Sequence, residues 1–390
     1  MAHSRTYMML CMRKWALVAL LLLVGAGVIA WDYVRAAAFV VQAAEMDGVA
    51  SRLLTWTTSR VEERPMEVPW RGGELRARAY LPHGDSGGAV LLVPGVHASG
   101  IDEPRFAGFA RDLASMDRTV IAVELPPLLR YRITPELTDM IEDAAAWVAG
   151  QPTLADGAPI GLVGISFAGG LSIVASARPP LRERIAYVLS FGGHGDLPRT
   201  LEYLCTGVQP DGSRLAPHDY GVAIILLGVA ERMVPPAQVA PLRAAIETFL
   251  EASRLDMIDK EAAAREFARA RDLAADLSEP AASLMHAVND RDVGTLGPLL
   301  LPHVREFGGD PALSPSGSTA PAGTVYLLHG SGDNVIPAVE STLLADELRS
   351  RGVTVRQLST PLVTHAEVNN VAAAVDVWRL IRFWGSLLAE

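Results

Sequence analysis

Ser166 stands in the run Gly164-Ile165-Ser166-Phe167-Ala168-Gly169-Gly170, directly after the apolar stretch Pro159 to Val163 and directly before a helical pattern. A serine held at a sharp turn from strand into helix exposes its hydroxyl. Small residues two before and two after it, here Gly164 and Ala168, let strand and helix pass closely. With a base beside it, such a hydroxyl attacks carbonyl carbon. Two polar candidates follow downstream. Asp333 lies in the glycine-containing loop after the strand pattern that begins at Thr324, and His365 in Thr364-His365-Ala366-Glu367, just before the final helix. By role, Ser166 would attack, His365 would take the proton and return it to the leaving group, and Asp333 would fix the imidazole tautomer and stabilise its charged form. Each residue also has a plainer reading. Ser166 suits a helix N-cap, Asp333 a turn, and Asp196, after the preceding strand, is a rival acid. His329 and His97 compete with His365; His329 reads as a loop-fixing residue at a strand end.

The elbow at Ser166, the His-Gly-x-Gly-Asp-x-x-x-Pro run from His329 to Pro337 and the late His365 resemble the α/β-hydrolase superfamily, over about residues 66 to 206 and 323 to 390. The order serine, aspartate, histidine, each on a loop after a strand, is the one this family has. The resemblance implies an oxyanion hole, which needs N–H donors where negative charge develops. The Phe167 N–H is one candidate. The other is the N–H of Val96 or Gly95, in the loop Pro94 to Gly100 where family members often have His-Gly. His97 is a candidate pocket residue. The chain departs from the pattern at Ala168, where the family has a second elbow glycine, and at Pro94. Asp102, Glu103 and Arg105, just beyond that loop, read as a solvated helix start, since acids favour a helix N-terminus.

The elements that must position these groups alternate. Leu75 to Tyr80 has the period of a half-buried edge strand, and Ala89 to Val93 is a continuous apolar run, as in a strand covered on both faces. A helix over Pro104–Met116, a strand over Thr119–Val123, a helix over Pro135–Ala149, the strand entering Ser166 and a strand over Ile185–Ser190 complete the first half. The expected fold class is α/β, a mostly parallel central sheet flanked by helices, with a helical cap insertion and an N-terminal transmembrane helix. Residues 207–322 break the alternation and are too long for a loop. Helical spacing over Pro236–Ala252 and Lys260–Leu277 makes them a helical cap between a first core part, 66–206, and a second, 323–390. In the family it resembles, an insertion here commonly covers the active site; the competing reading is a separate partner-binding unit.

Ahead of the core, residues 1–14 form an N-terminal tail, 15–31 an anchor or signal sequence and 32–65 a helical linker. Trp15 to Trp31 carries no charge over seventeen residues and follows Arg5, Arg13 and Lys14. That length just suffices to cross a bilayer, and the basic flank predicts the N-terminus inside and the rest on the non-cytoplasmic side. A cleaved signal peptide, ending near Ala36-Ala37-Ala38, is the alternative, and would leave a secreted protein. The net charge of −10, with pI about 5.4, excludes a nucleic-acid partner on electrostatic grounds. The two cysteines, Cys11 and Cys205, form no disulfide framework and no metal site; no cofactor and no metal are called for. The expected function is a serine hydrolase, esterase-like or lipase-like, cleaving a carboxylic ester, thioester, lactone or amide. Its partners would be a small-molecule acyl substrate, hydrophobic if the membrane location guides it, and the membrane itself. The alternative is a non-catalytic scaffold of the same fold at the membrane.

Overall fold

The structure, a computed structural model, describes Trp31 and residues 33–43, 55–84, 86–256, 258–363 and 374–390. Eight strands, β1 (Val61–Trp70), β2 (Gly73–Pro82), β3 (Ala89–Val93), β4 (Thr119–Val123), β5 (Ile160–Ile165), β6 (Ile185–Phe191), β7 (Thr324–Gly330) and β8 (Val355–Thr360), form one sheet in the order β1-β2-β4-β3-β5-β6-β7-β8. The pairs from β4 through β8 are parallel, while β2 runs antiparallel to both β1 and β4.

Burial on both faces explains the apolar runs. In β3, Val90 and Leu92 enter one hydrophobic cluster and Leu91 and Val93 the other, the alternation that a period of two requires. One face is covered by helices α1 (33–43), α2 (Pro104–Ser115) and α12 (Ala374–Leu388). The other is covered by α3 (Glu136–Ala149), α4 (Phe167–Ser176) and α11 (Val339–Ser350).

The true edge strand is β1, which the sequence pattern did not suggest. Its residues Glu62, Glu63, Arg64 and Pro65 are exposed, so no apolar alternation marks it. Proline and charge are tolerated there because an edge strand has one unpaired side. Leu75 to Tyr80 is therefore the second strand from the edge.

Between β6 and β7 the chain is helical: α5 (Leu197–Thr206), α6 (Tyr220–Met233), α7 (Pro236–Leu255), α8 (Lys260–Ala275), α9 (Ala281–Asn289) and α10 (Val293–Leu300). Their apolar faces join the core cluster on the α3–α4 side through Leu201, Ile225, Leu242, Phe249 and Leu296. Apart from Trp31, the apolar run 15–31 lies outside the described residues. Among the described residues no helix is long and apolar enough to cross a membrane. Residues 33–43 of the expected linker form α1, and Ala36, Ala38 and Phe39 on it are buried in the core.

Candidate active site

Ser166 follows the last residue of β5 and precedes the first of α4, with φ +55° and ψ −135°. For a residue with a β-carbon this is a strained conformation, of the kind that persists only when its surroundings over-determine it. Three contacts do so. The Ser166 N–H donates to the Phe191 carbonyl at the end of β6 at 2.8 Å, and its carbonyl accepts from Gly169 N–H at 2.8 Å. The third is steric: a β-carbon at Gly164 would come within 2.3 Å of the Ala168 carbonyl oxygen and 2.5 Å of Ser172 Oγ. Only glycine lets β5 and α4 cross this closely, whereas Ala168 is buried without difficulty. The Ser166 side chain is not used as an N-cap for α4, and the residue is 8 % exposed.

The loop after β3 closes on this serine from one side. A β-carbon placed on Gly95 would lie 3.0 Å from Ser166 Cβ and 3.7 Å from its Oγ, so the backbone at Gly95 adjoins the hydroxyl. Phe167, the first residue of α4, is buried. Its amide lies at the positive end of the helix dipole. His97 Nδ1 accepts from Ser99 N–H at 3.2 Å. Burial lowers the His97 pKa, opposed by Glu103 and reinforced by Arg105 and Arg254. Glu103 caps α2, accepting from Phe106 N–H at 2.7 Å, and binds Arg105 at 2.7 Å. Asp102 is held by Arg76 and Arg78. These three charges serve the helix start and the strand β2 beside it.

Asp333 lies three residues beyond β7 and is buried. One carboxylate oxygen accepts from the N–H groups of Val335 and Ile336, at 2.9 and 3.0 Å. The other is 3.3 Å from His329 Nε2. His329 is itself locked, with Nε2 2.7 Å from the Ile336 carbonyl and Nδ1 2.5 Å from Ser341 Oγ. Nε2 must carry the proton, because a carbonyl oxygen can only accept; this assigns the tautomer from the network. Asp196, the rival acid, caps α5 through Arg199 N–H at 2.8 Å, and its loop is pinned by the buried Glu340, which accepts from the Gly195 and Asp196 N–H groups at 3.0 Å. His365 lies outside the described residues.

The structure thus brings Gly95 against Ser166, and places Asp333 beyond the same end of the parallel strands, two strands away.

The helical segment adds residues that the sequence did not single out. His218 N–H and Tyr203 O–H both donate to the Asn334 carbonyl, at 2.9 and 3.0 Å, next to Asp333. Burial, and then the Asp333 carboxylate, push the pKa of Tyr220 up. Burial takes that of Tyr131 to about 12, with Glu251 of α7 adding to the rise. Tyr131 has φ +56°. Both phenols therefore remain protonated donors near neutral pH. Nothing at the level of motif marks Tyr203 and His218, because what joins them to the loop of Asp333 is tertiary contact alone. A cleft of about 510 Å³ lined by Arg199, Glu202, Thr206 and Arg305 includes none of the site residues.

No protein-family model matches the chain, and no curated protein sequence matches it. Among solved structures it is similar to an esterase of Pyrobaculum calidifontis, at 16% identity and TM-score 0.46, covering 87% of this chain and 89% of that one. A thermostable carboxylesterase cloned from a metagenomic library is similar at 18% identity and TM-score 0.46, over 89% and 95% of the two chains. A dienelactone hydrolase from Anabaena variabilis is similar at 14% identity and TM-score 0.41, over 84% and 96%. By its own strand order, its parallel register and the helices on both faces, the chain fits the fold of the α/β-hydrolase superfamily.

Proposed function

We propose that the chain is a serine hydrolase that cleaves a carboxylic ester, thioester, lactone or amide through an acyl-enzyme on Ser166. The observation that carries this reading is the backbone of Ser166, φ +55° between β5 and α4, with Gly95 against its β-carbon. A residue that only capped a helix would have no use for that strain. In the proposed cycle His365 takes the Ser166 proton as the hydroxyl attacks the carbonyl carbon. The Phe167 N–H and that of Gly95 or Val96 receive the oxyanion, and the imidazolium protonates the leaving group. Water then repeats the sequence to release the acid. Asp333, its charge held by two backbone N–H groups, orients the imidazole. The apolar run 15–31 would anchor the protein in a membrane, with the folded part on the non-cytoplasmic side, which favours a hydrophobic acyl substrate.

Labelling of the full chain by a fluorophosphonate probe tests the reaction class. The native protein is expected to label and Ser166→Ala not to; labelling that persists in Ser166→Ala, or none in either, sinks the proposal.

A further inference from the structure

Exposed tryptophans lie around the start of α1. Among the described residues the exposed tryptophans are Trp31, Trp56 and Trp378, at 42%, 70% and 53%, and Val375, one turn before Trp378, is 59% exposed. They make two ring contacts at the start of α1. Trp31 meets Trp56 edge-on with centroids 5.7 Å apart, and Tyr33 stacks on Trp378, also at 5.7 Å.

The group rests on a firm base. Arg35 donates to Asp117 at 2.8 Å, and Ser59 donates to the same carboxylate, tying α1 and the turn that carries Trp56 to the loop before β4. Behind them Phe39 packs on Trp384 at 4.5 Å and on Phe109 at 5.8 Å. α1 and the turn that carries Trp56 are therefore anchored, while the tryptophan rings stay exposed.

The sequence upstream indicates what covers them. Trp31 is the last residue of the uncharged run that begins at Trp15. Ala36, already buried, follows five residues later, or about 7.5 Å at helical rise. A span ending at Trp31 brings the bilayer surface to the Trp31–Trp56–Trp378 group with no slack. Tryptophan is the residue that favours that interface.

We propose that Trp31, Trp56, Trp378 and Val375 form an interfacial foot on which the folded part rests at the headgroup–acyl boundary of a lipid bilayer. The proposal rests on reading 15–31 as a span and is independent of the serine chemistry. The test uses the full chain in nanodiscs of phosphatidylcholine brominated near the headgroup, comparing the native protein with Trp56→Phe and Trp378→Phe. Each replacement is expected to remove part of the bromolipid quenching and to leave quenching by aqueous iodide nearly unchanged. If bromolipid quenching is the same in all three proteins and each replacement instead removes iodide quenching, the folded part stands clear of the bilayer and the foot is overturned. If both residues are shielded from both quenchers in a species whose mass rises with concentration, a second copy covers the face and the proposal is likewise overturned. Alkaline carbonate extraction tests the span separately: a chain that resists extraction while Trp56 and Trp378 stay unquenched by bromolipid keeps the span and loses the foot.

Discussion

Two carboxylates sit at the ends of neighbouring strands, and their hydrogen bonds separate their uses. Asp196 is spent on the first turn of α5. Asp333 takes two backbone N–H groups on one oxygen, and its second oxygen lies 3.3 Å from His329 Nε2. Asparagine can replace each while keeping an accepting oxygen, so the pair isolates charge from shape. Asp333→Asn is expected to lower kcat by about 10⁴-fold, the loss seen when a triad acid is neutralised, while the unfolding midpoint moves little. Asp196→Asn, still a good N-cap, should leave kcat within a factor of about two. Steady-state hydrolysis of an ester substrate by the two variants checks this; equal losses would place the acid elsewhere. At Ser166 itself strain of about 1–3 kcal/mol is held in place by the crossing at Gly164 and the bond to Phe191.

The helical segment between β6 and β7 is fastened at its entry by a small polar junction. Arg291, in the turn between α9 and α10, binds Asp219 at 2.7 Å and lies 5.8 and 5.4 Å from the ring centroids of Phe249 on α7 and Phe267 on α8. The bond to His218, with Arg291 adding to it against the cost of burial, lowers the Asp219 pKa to about 2. A depressed carboxylate contributes stability that is whole above its unfolded value, about 3.9, and is lost as pH falls through the folded value. The window is therefore about pH 4 to 2. Hydrogen exchange in α7 and α8 should accelerate across it in the native protein. Asp219→Asn should exchange faster already at pH 5 and change less below it; identical pH profiles would remove Asp219 from the junction. The same segment carries Glu251 and Arg254, whose charges act on His97 and Tyr131.

Across the whole molecule, α1 behaves as part of the core. Phe39 is fully buried between Trp384 and Phe109, and Ala36 and Ala38 are buried beside it. Phe39→Ala should cost about 3–5 kcal/mol, read as a lower denaturant midpoint for the full chain. A flexible tether at this position would show no change. The consequence for function is mechanical: a membrane span ending at Trp31 would be coupled to the sheet through α1 rather than through a free linker.

Local pattern was enough for the central strands and for the strand-to-helix turn at Ser166. A strand buried on both faces has to be apolar throughout, so Ala89–Val93 and Thr119–Val123 announce themselves. A strand-to-helix crossing this tight admits only small residues, and Gly164 and Ala168 announce that. The edge strand β1 left no such trace, because Glu62 to Pro65 are exposed and one side of the strand is unpaired, so neither charge nor proline is penalised there. What only the tertiary structure decided is which groups meet. The sequence named Asp333 and Asp196 as rivals, and the backbone N–H groups at 335, 336 and 199 gave each its partners. The sequence offered Gly95 and Val96, and the approach to Ser166 put that loop beside the hydroxyl. The contacts of Tyr203 and His218 with Asn334, and of Trp56 with Trp31, have no sequence signature at all. They are made by chain segments distant in sequence packing side by side, and the free energy that brings them together belongs to the whole core rather than to any local pattern.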